Sequence, residues 1–187
     1  MHHLIFEGAE LSGKSWIMSQ VYNYLQPKFN QNQGRLDGCH WINSDIGVYG
    51  DSLGLPLLKT YCELFTVLAS RNLIVEKFYL ADAVYHSMAG KQVSNYTEIE
   101  NKLVELDFKY VLCLLPEDEN IIQKRLEDRL RLYPHYKIIA QEPRWYIEQQ
   151  QTYLKLIQHS KIPCLMIQTY SFPDELILPK ILRWLGE

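Results

Sequence analysis

Short apolar runs alternate with longer segments in which apolar residues recur at helical spacing. The runs predict five strands, at residues 4–6, 39–43, 73–75, 110–115 and 164–167. A short apolar run bounded by turn signals is typical of a strand that is buried on both faces. The segments between and after the strands predict helices at residues 15–25, 56–70, 78–89, 96–106, 117–130, 145–158 and 173–185.

Two prolines set the expected limits of two helices. Proline fits the first turn of a helix but cannot continue one, so the first helix should end near Gln26, before Pro27. For the same reason the second helix should begin at Pro56. Strands that alternate with helices in this way predict an α/β fold with a five-stranded parallel sheet and helices on both faces.

The stretch between the first strand and the first helix reads G-A-E-L-S-G-K-S. It matches the phosphate-binding P-loop, G-x-x-x-x-G-K-[ST], in the strand–loop–helix context that this loop requires. Lys14 is expected to reach the β- and γ-phosphates, and the Ser15 hydroxyl is expected to bind Mg²⁺. The sequence therefore predicts a P-loop NTPase fold that holds ATP and Mg²⁺ with Gly8, Ala9, Glu10, Leu11, Ser12, Gly13, Lys14 and Ser15.

Charged residues follow the predicted strands, at the sheet edge where parallel sheets bind ligands. Glu76 could help to hold Mg²⁺ through water, and Lys77 could neutralise charge on a transferred phosphoryl group. Asp45 could accept a proton from a substrate hydroxyl, or it could cap the turn that leads to Gly47. Glu10 lies inside the loop, where negative charge is unexpected, and contact with the hydroxyls of a second substrate would explain it.

Three arginines, Arg125, Arg129 and Arg131, follow the fourth predicted strand in the pattern R-x-x-x-R-x-R. Arg125 and Arg129 should share one helix face, where guanidinium groups could clamp donor phosphates and stabilise transition-state charge. Arg131 is expected to contribute to nucleotide binding. The alternative is a solvated helix face on which the arginines pair with Glu127 and Asp128.

Composition limits the classes of function. The 187 residues suggest a single domain, 1–187, and the net charge of −3 disfavours a dedicated nucleic-acid binder. No apolar run approaches the about 20 residues that span a bilayer, and the first strand leaves no room for a signal peptide. Four scattered cysteines predict reduced thiols in a cytoplasmic protein.

Together these residues resemble the thymidylate kinase and deoxynucleoside kinase superfamily of P-loop kinases. Residues 6–15 are similar to the F-E-G-x-[DE]-x-x-G-K-[ST] opening of thymidylate kinases, and residues 114–117 with the arginines after them are similar to the P-E helix start and lid. The resemblance implies ATP- and Mg²⁺-dependent phosphoryl transfer to a small acceptor, with Glu10 near the acceptor's sugar hydroxyl. It also implies an arginine-bearing lid at about 125–140 and, by analogy, a homodimer through the helix at 57–68.

Two departures from the thymidylate kinase pattern leave the acceptor open. The R-E-P segment of those kinases is Ser44-Asp45-Ile46 here, and their Asp-Arg pair is Glu76-Lys77. Deoxynucleoside kinases have a carboxylate after the second strand, which acts as the base, and later an E-R-S segment that is followed by an aspartate. Asp45, Glu76 and Asp82 match this pattern in part. We expect a nucleoside monophosphate as acceptor. A deoxynucleoside kinase with Asp45 as base and a non-catalytic nucleotide-binding protein are the alternatives.

Overall fold

A computed structural model of the protein describes residues 1–44, 46, 50–171 and 173–187. The strands are β1 (His3–Glu7), β2 (Cys39–Asn43), β3 (Asn72–Glu76), β4 (Phe108–Leu114) and β5 (Cys164–Gln168). The helices are α1 (Lys14–Phe29), α2 (Gly50–Val67), α3 (Tyr79–Met88), α4 (Thr97–Glu105), α5 (Glu119–Leu132), α6 (Pro143–Ile157) and α7 (Ile177–Leu185). A 3₁₀ helix, Pro134–Ile138, follows α5.

The five strands form one parallel sheet in the order β2-β3-β1-β4-β5. β1 is central, and Phe6 near its end lies opposite Glu76 of β3 and Val111 of β4. The α/β fold with a five-stranded parallel sheet is therefore confirmed. The order also places the loop after β1 beside the carboxyl end of β3, which brings together residues about 60 positions apart in the chain.

Helices cover both faces of the sheet, as the apolar runs predict. Because side chains alternate along a strand, Leu4 and Phe6 of β1 face one side and Ile5 faces the other. Leu4 and Phe6 join the core that α1 and α7 cover, with Ile17 and Ile181 among its buried residues. Ile5 joins a second core, to which α2, α3, α4 and α6 contribute.

A third apolar cluster ties the loop after β1 to the helices that follow β4. Ala9 and Leu11 of the loop pack with Leu115, with Leu126 of α5 and with Tyr146 of α6. All five side chains are buried. The loop is therefore packed on one side against the base of the predicted lid.

Both proline-based limits are wrong. α1 continues through Pro27 to Phe29, and α2 begins at Gly50 with Pro56 inside it. A proline in a helix removes one backbone hydrogen bond. Near the end of α1 this loss is offset by packing, because Tyr24 and Phe29 lie against the α1–α7 core.

Other boundaries also differ from the predicted ones. α5 begins at Glu119, because the Asp118 side chain accepts hydrogen bonds from the backbone N–H groups of Asn120 and Ile121. The last helix is the shorter α7, Ile177–Leu185, and the 3₁₀ helix lies within the predicted lid at about 125–140.

The structure also bears on the membrane and cysteine predictions. Among the described residues, no helix is both long enough and apolar enough to cross a membrane. All four cysteines are free thiols. Burial raises the pKa of Cys39 and Cys113 to about 12, so these thiols remain protonated at neutral pH.

Candidate functional site

Two glycines shape the loop between β1 and α1. Gly8 has a φ of 134° and Gly13 a φ of 80°, in the region where a residue with a Cβ is strained. At Gly8 a Cβ would lie 2.2 Å from the carbonyl oxygen of Cys113 in β4, so only glycine fits there. The loop can therefore turn tightly over the end of the central strand.

Lys14, the first residue of α1, is buried beneath the loop with 5% of its surface exposed. Its Nζ donates hydrogen bonds to the carbonyl oxygens of Gly8 (2.8 Å) and Ala9 (2.9 Å). Burial lowers the pKa of its ammonium group, and the carboxylate of Glu10 opposes this shift. No side chain caps the start of α1 at Gly13. The loop thus combines an ammonium group with the backbone N–H groups of a helix start, an arrangement that binds phosphate.

Ser15 and Glu76, the two predicted Mg²⁺-binding residues, are in contact. The Ser15 hydroxyl donates to Glu76 Oε1 at 2.8 Å. Hydroxyl and carboxylate oxygens are ligands that Mg²⁺ accepts, and Mg²⁺ is usually shared with water and substrate phosphates. No group of three or more His, Cys, Asp or Glu side chains among the described residues could hold a metal. This pair therefore fits a phosphate-bound Mg²⁺ and does not fit a metal held by protein alone.

Glu10 and Lys77 form an ion pair of 2.8 Å across the end of the sheet. Lys77 reaches Glu10 from a backbone conformation with a φ of 57°. The Tyr85 hydroxyl of α3 donates to Glu10 Oε1 at 3.3 Å, and Gln149 of α6 accepts the Glu10 backbone N–H at 2.9 Å. Four segments of the chain therefore meet at Glu10.

The positive charges around Glu10 keep it ionised. Burial by itself raises the pKa of this carboxyl, but the charges of Lys14, Lys77 and Arg129 outweigh burial and hold the pKa at about 2. A carboxyl with this pKa is a weak proton acceptor at neutral pH. Glu10 is thus suited to accept a hydrogen bond from a bound hydroxyl and poorly suited to act as a general base.

Arg129, one of the two predicted clamp arginines, borders the open side of the loop. It borders the cavity over residues 10–16 of the loop and α1. Its guanidinium carbon lies 5.3 Å from the centre of the Tyr133 ring and 5.5 Å from that of Tyr136. These aromatic faces attract the cation and orient it, so the lid delivers a positive charge to the phosphate-binding side of the loop.

The other two arginines have different contacts. Arg125 donates to the carbonyl oxygen of Leu11 (3.2 Å) and to the hydroxyl of Thr169 (3.1 Å), and also to the Thr169 backbone carbonyl. Arg131 is mostly exposed and pairs with Asp128 at 2.8 Å. The structure thus places Arg125 against the loop backbone. It places Arg131 at the surface in an ion pair with Asp128, as the alternative of a solvated helix face predicts.

Three cavities lined by described residues adjoin the loop. One of about 330 Å³ lies between the loop and α5, and one of about 200 Å³ lies directly over the loop. A third, of about 420 Å³, lies between α3 and the lid segment and is lined by Glu10, Lys77, Tyr85, Tyr136, Ile138, Ile139, Gln141, Trp145 and Tyr146. Glu10 borders both the second and the third cavity, so the two are neighbours on either side of this residue.

Several site residues are not predicted from the sequence. Gln149 and Gln150 are buried on α6, and Gln150 exchanges hydrogen bonds with the backbone N–H and carbonyl of Leu115 at the end of β4. Thr169, which holds Arg125, is also buried. The available signal is weak: Gln149 and Gln150 are each three or four positions from Tyr146 and Tyr153, on one helix face.

Asp45, the candidate base, lies outside the described residues. Ser44, directly before it, is described: its backbone N–H donates to the Glu76 carbonyl oxygen at 3.2 Å, and its hydroxyl donates to the Lys77 carbonyl oxygen. Asp82 does not line any of the three cavities; it is buried and accepts a hydrogen bond from the Tyr96 hydroxyl at 2.5 Å.

No family model and no curated protein matches the sequence, whereas several solved structures resemble the fold. The YorR protein of Bacillus subtilis, in complex with phosphorylated GDP, has a TM-score of 0.65 at 18% identity over 98% of this chain and 95% of its own. The thymidylate kinase of Ehrlichia chaffeensis has a TM-score of 0.58 at 13% identity over 100% and 98%. The deoxyadenosine kinase of M. mycoides, with dCMP and dCDP bound, has a TM-score of 0.57 at 13% identity over 98% of each chain.

At these identities the likeness shows the fold. The chain has an α/β P-loop fold, the fold of the thymidylate and deoxyadenosine kinases that it resembles. This agrees with the superfamily that the motifs suggest.

Proposed function

We propose that the protein transfers the γ-phosphoryl group of ATP to a nucleoside monophosphate, with Mg²⁺ as the metal cofactor. The observation that carries the proposal is the ion pair of Glu10 and Lys77. Glu10 borders the cavity over the phosphate-binding loop, and both residues border a larger cavity in which four of nine lining residues have Tyr or Trp rings. A site for a phosphate donor thus lies next to a site for a ring-bearing acceptor.

On the donor side, the loop residues hold the phosphates. Lys14 donates to the carbonyl oxygens of Gly8 and Ala9, and it would exchange one of these bonds for a phosphate oxygen when ATP binds. Ser15 and Glu76 would hold Mg²⁺. When bound, Mg²⁺ supplies positive charge that neutralises phosphate oxygens during transfer.

On the acceptor side, the aromatic rings of the third cavity provide faces on which a nucleobase can stack. Gln141 adds an amide that can hydrogen-bond the edge of a base. Glu10 accepts a hydrogen bond from a sugar hydroxyl, and Lys77 places positive charge at the same point. An acceptor bound in this way points its phosphate toward the loop.

Closure of the lid completes the proposed site. Arg129 lies over the rings of Tyr133 and Tyr136, of which Tyr133 borders the cavity next to α5 and Tyr136 borders the aromatic cavity. A substrate in either cavity would therefore contact the same lid. Closure brings the Arg129 charge to the transferred group and excludes water, which limits hydrolysis of ATP.

The similar structures support this choice of acceptor class. One is a thymidylate kinase, one is a deoxyadenosine kinase solved with nucleotide products, and one holds phosphorylated GDP. The ligands or substrates of these three proteins carry a base and a sugar. We therefore propose that the acceptor of this protein also carries a base and a sugar.

A nucleoside kinase is the second candidate, and the contacts of Ser44 favour it. Ser44 binds the backbone of Glu76 and Lys77, and Asp45 is the next residue in the sequence. In this alternative Asp45 accepts the proton of a nucleoside 5′-hydroxyl. Replacement of Asp45 by Asn would then abolish turnover while ATP binding remained.

The test is ATP consumption with Mg²⁺ and a panel of acceptors: nucleoside monophosphates, the corresponding nucleosides, and hydroxyl compounds without a base. We expect turnover with one or more monophosphates. Lys14→Ala should reduce it by roughly 10²–10³-fold, because the lysine charge acts on the transferred group. Lys102→Ala is the matched control, since Lys102 pairs with Glu105 on α4 and borders none of the three cavities.

Other results would assign the protein differently. Turnover of nucleosides alone would replace the monophosphate proposal with the Asp45 alternative. ATP binding without consumption of any acceptor would indicate a non-catalytic nucleotide-binding protein. Equal turnover by wild type and Lys14→Ala would contradict the assignment of the loop as the donor site.

A further inference from the structure

Glu7 is a fully buried carboxyl group that the proposed mechanism does not use. It is the last residue of β1, directly before the phosphate-binding loop, and it has no exposed surface. Burial of a carboxylate is unfavourable unless hydrogen bonds or opposite charges compensate for the lost water. The contacts of Glu7 therefore indicate what it stabilises.

The Glu7 carboxyl group accepts a hydrogen bond from the first backbone N–H beyond the backbone pairing of β1 and β3. The backbone N–H of Lys77 still donates to the carbonyl oxygen of Phe6, at 3.0 Å. The next N–H, that of Phe78, donates instead to Oε1 of Glu7, at 2.7 Å. Two successive N–H groups after β3 are thus held by two successive residues of β1, one through its backbone and one through its side chain.

The residue between these anchored N–H groups has an unfavourable backbone conformation. Lys77 has a φ of 57°, which few residues with a Cβ adopt unless the surroundings impose it. This turn directs Lys77 toward Glu10, and the residue before it, Glu76, toward Ser15. The orientation of both side chains therefore depends on the hydrogen bonds that hold the turn.

We infer that Glu7 is a positioning residue, whose carboxyl group fixes the turn at 76–78 and thereby places Glu76 and Lys77 against the loop. It acts through these two residues and contacts neither the acceptor cavity nor the cavity over the loop. Its expected effect on turnover rests on the proposed function. The geometry of the turn, and the spectroscopic test of it, do not.

The surroundings of Glu7 make it titrate near neutral pH. Burial raises its pKa to about 7, although the hydrogen bond from Phe78 and the charge of Lys14 oppose the shift. The other titratable groups near it among the described residues are Tyr110 and Cys113 of β4, whose thiol stays protonated, and Tyr153 of α6. Burial raises the pKa of both hydroxyls well above 10, so they stay protonated while Glu7 changes its charge.

Three variants test the inference. Glu7→Gln keeps an oxygen acceptor for Phe78 but cannot titrate, and Glu7→Ala removes the acceptor. Glu100→Gln is the matched control, because Glu100 of α4 also accepts a backbone N–H, from Lys161 at 3.0 Å, but Glu100 and Lys161 both lie outside the turn at 76–78.

The first measurement follows the Phe78 amide proton by ¹⁵N NMR as the pH is varied. In wild type and Glu100→Gln its chemical shift should titrate with a midpoint near pH 7, where the Glu7 carboxyl changes charge. In Glu7→Gln it should be independent of pH over the same range. A Phe78 shift that does not titrate in wild type, or that titrates equally in Glu7→Gln, would overturn the inference whether or not the protein is a kinase.

The second measurement is turnover with the best acceptor. Glu7→Ala should lower kcat by roughly 10–100-fold, as displaced supporting contacts commonly do, with a smaller change in the KM for ATP. Glu7→Gln should recover most of this kcat and lack the wild-type pH dependence near pH 7. Unchanged kcat in Glu7→Ala would contradict the inference, whereas wild type without turnover would contradict the proposed function alone.

Discussion

Two ion pairs of equal length hold the floor and the lid of the site, and they differ in burial. Glu10 and Lys77 are 2.8 Å apart in the floor, with 19% and 15% of their side chains exposed. Asp128 and Arg131 are also 2.8 Å apart in the lid, with 53% and 77% exposed. Water and salt screen the lid pair, whereas the floor pair lies among other charges in a poorly hydrated place.

This difference in burial indicates that the floor and the lid have different roles. The floor is preorganised, because its charges are paired before a substrate arrives and the surrounding backbone fixes them. The base of the lid packs on the loop through Leu126, whereas farther along the lid carries an exposed ion pair and Arg129 over two tyrosine rings of its own segment. The half-buried charges thus lie at the sheet edge, and the exposed pair lies on α5.

Among the changes that compare the floor with the lid, the largest expected effect comes from breaking the floor pair. Glu10→Gln keeps the size of the side chain but leaves Lys77 without its partner charge, and it removes the acceptor of a substrate hydroxyl bond. We expect kcat/KM for the monophosphate to fall by roughly a hundredfold. Asp128→Asn, the same change in the lid pair, should leave kcat/KM nearly unchanged. Similar losses of kcat/KM in the two variants would contradict the claim that the floor pair matters more than the lid pair.

A second effect is the pH dependence of stability. The pKa of Glu7 rises from 4.5 to about 7 on folding, so the folded protein binds this proton more tightly than the unfolded chain. The contribution to the free energy of unfolding is therefore present below pH 4.5 and is lost as the pH rises through about 7. Urea unfolding should show a loss of about 2 kcal/mol between about pH 5 and pH 8 that is absent in Glu7→Gln. Parallel pH curves for the two proteins would exclude this assignment.

A smaller effect separates the lid arginines. Arg129→Ala should lower kcat by about tenfold or more, because it removes charge from the transferred group. Arg131→Ala should leave kcat within the error of the assay, because its exposed pair contributes little. Rates that fall equally in both variants would mean that the lid acts through general charge and not through Arg129. The measurement is steady-state turnover at saturating ATP.

Much of the fold follows from local patterns. β2 has the limits that the apolar pattern predicts, and the loop at Gly8 to Ser15 lies between β1 and α1 as its motif requires. Parallel strands bring their carboxyl ends to one edge, so the nearness of Ser15 and Glu76 also follows from the strand assignments. These features depend on neighbouring residues or on strand order alone.

Other features depend on tertiary contacts that no local pattern encodes. α1 passes through Pro27 because its last turn packs on the core. Gln149 reaches the loop from 139 residues away, and nothing in its own helix predicts that contact. Arg125 and Arg129 are four residues apart but have different contacts. Arg125 donates to Thr169, whereas Arg129 lies over two tyrosine rings.

The most direct test of the account is whether donor and acceptor bind in one continuous site. A compound that joins adenosine to thymidine through a chain of five phosphates should span the loop and the aromatic cavity. Isothermal titration calorimetry should show that it binds at least about a hundredfold more tightly than ATP or dTMP, because the second contact becomes intramolecular. The contradicting result is that the compound binds no more tightly than ATP, and that wild type and Glu10→Gln bind it equally well. Glu10 and Lys77 would then not stand between a donor site and an acceptor site.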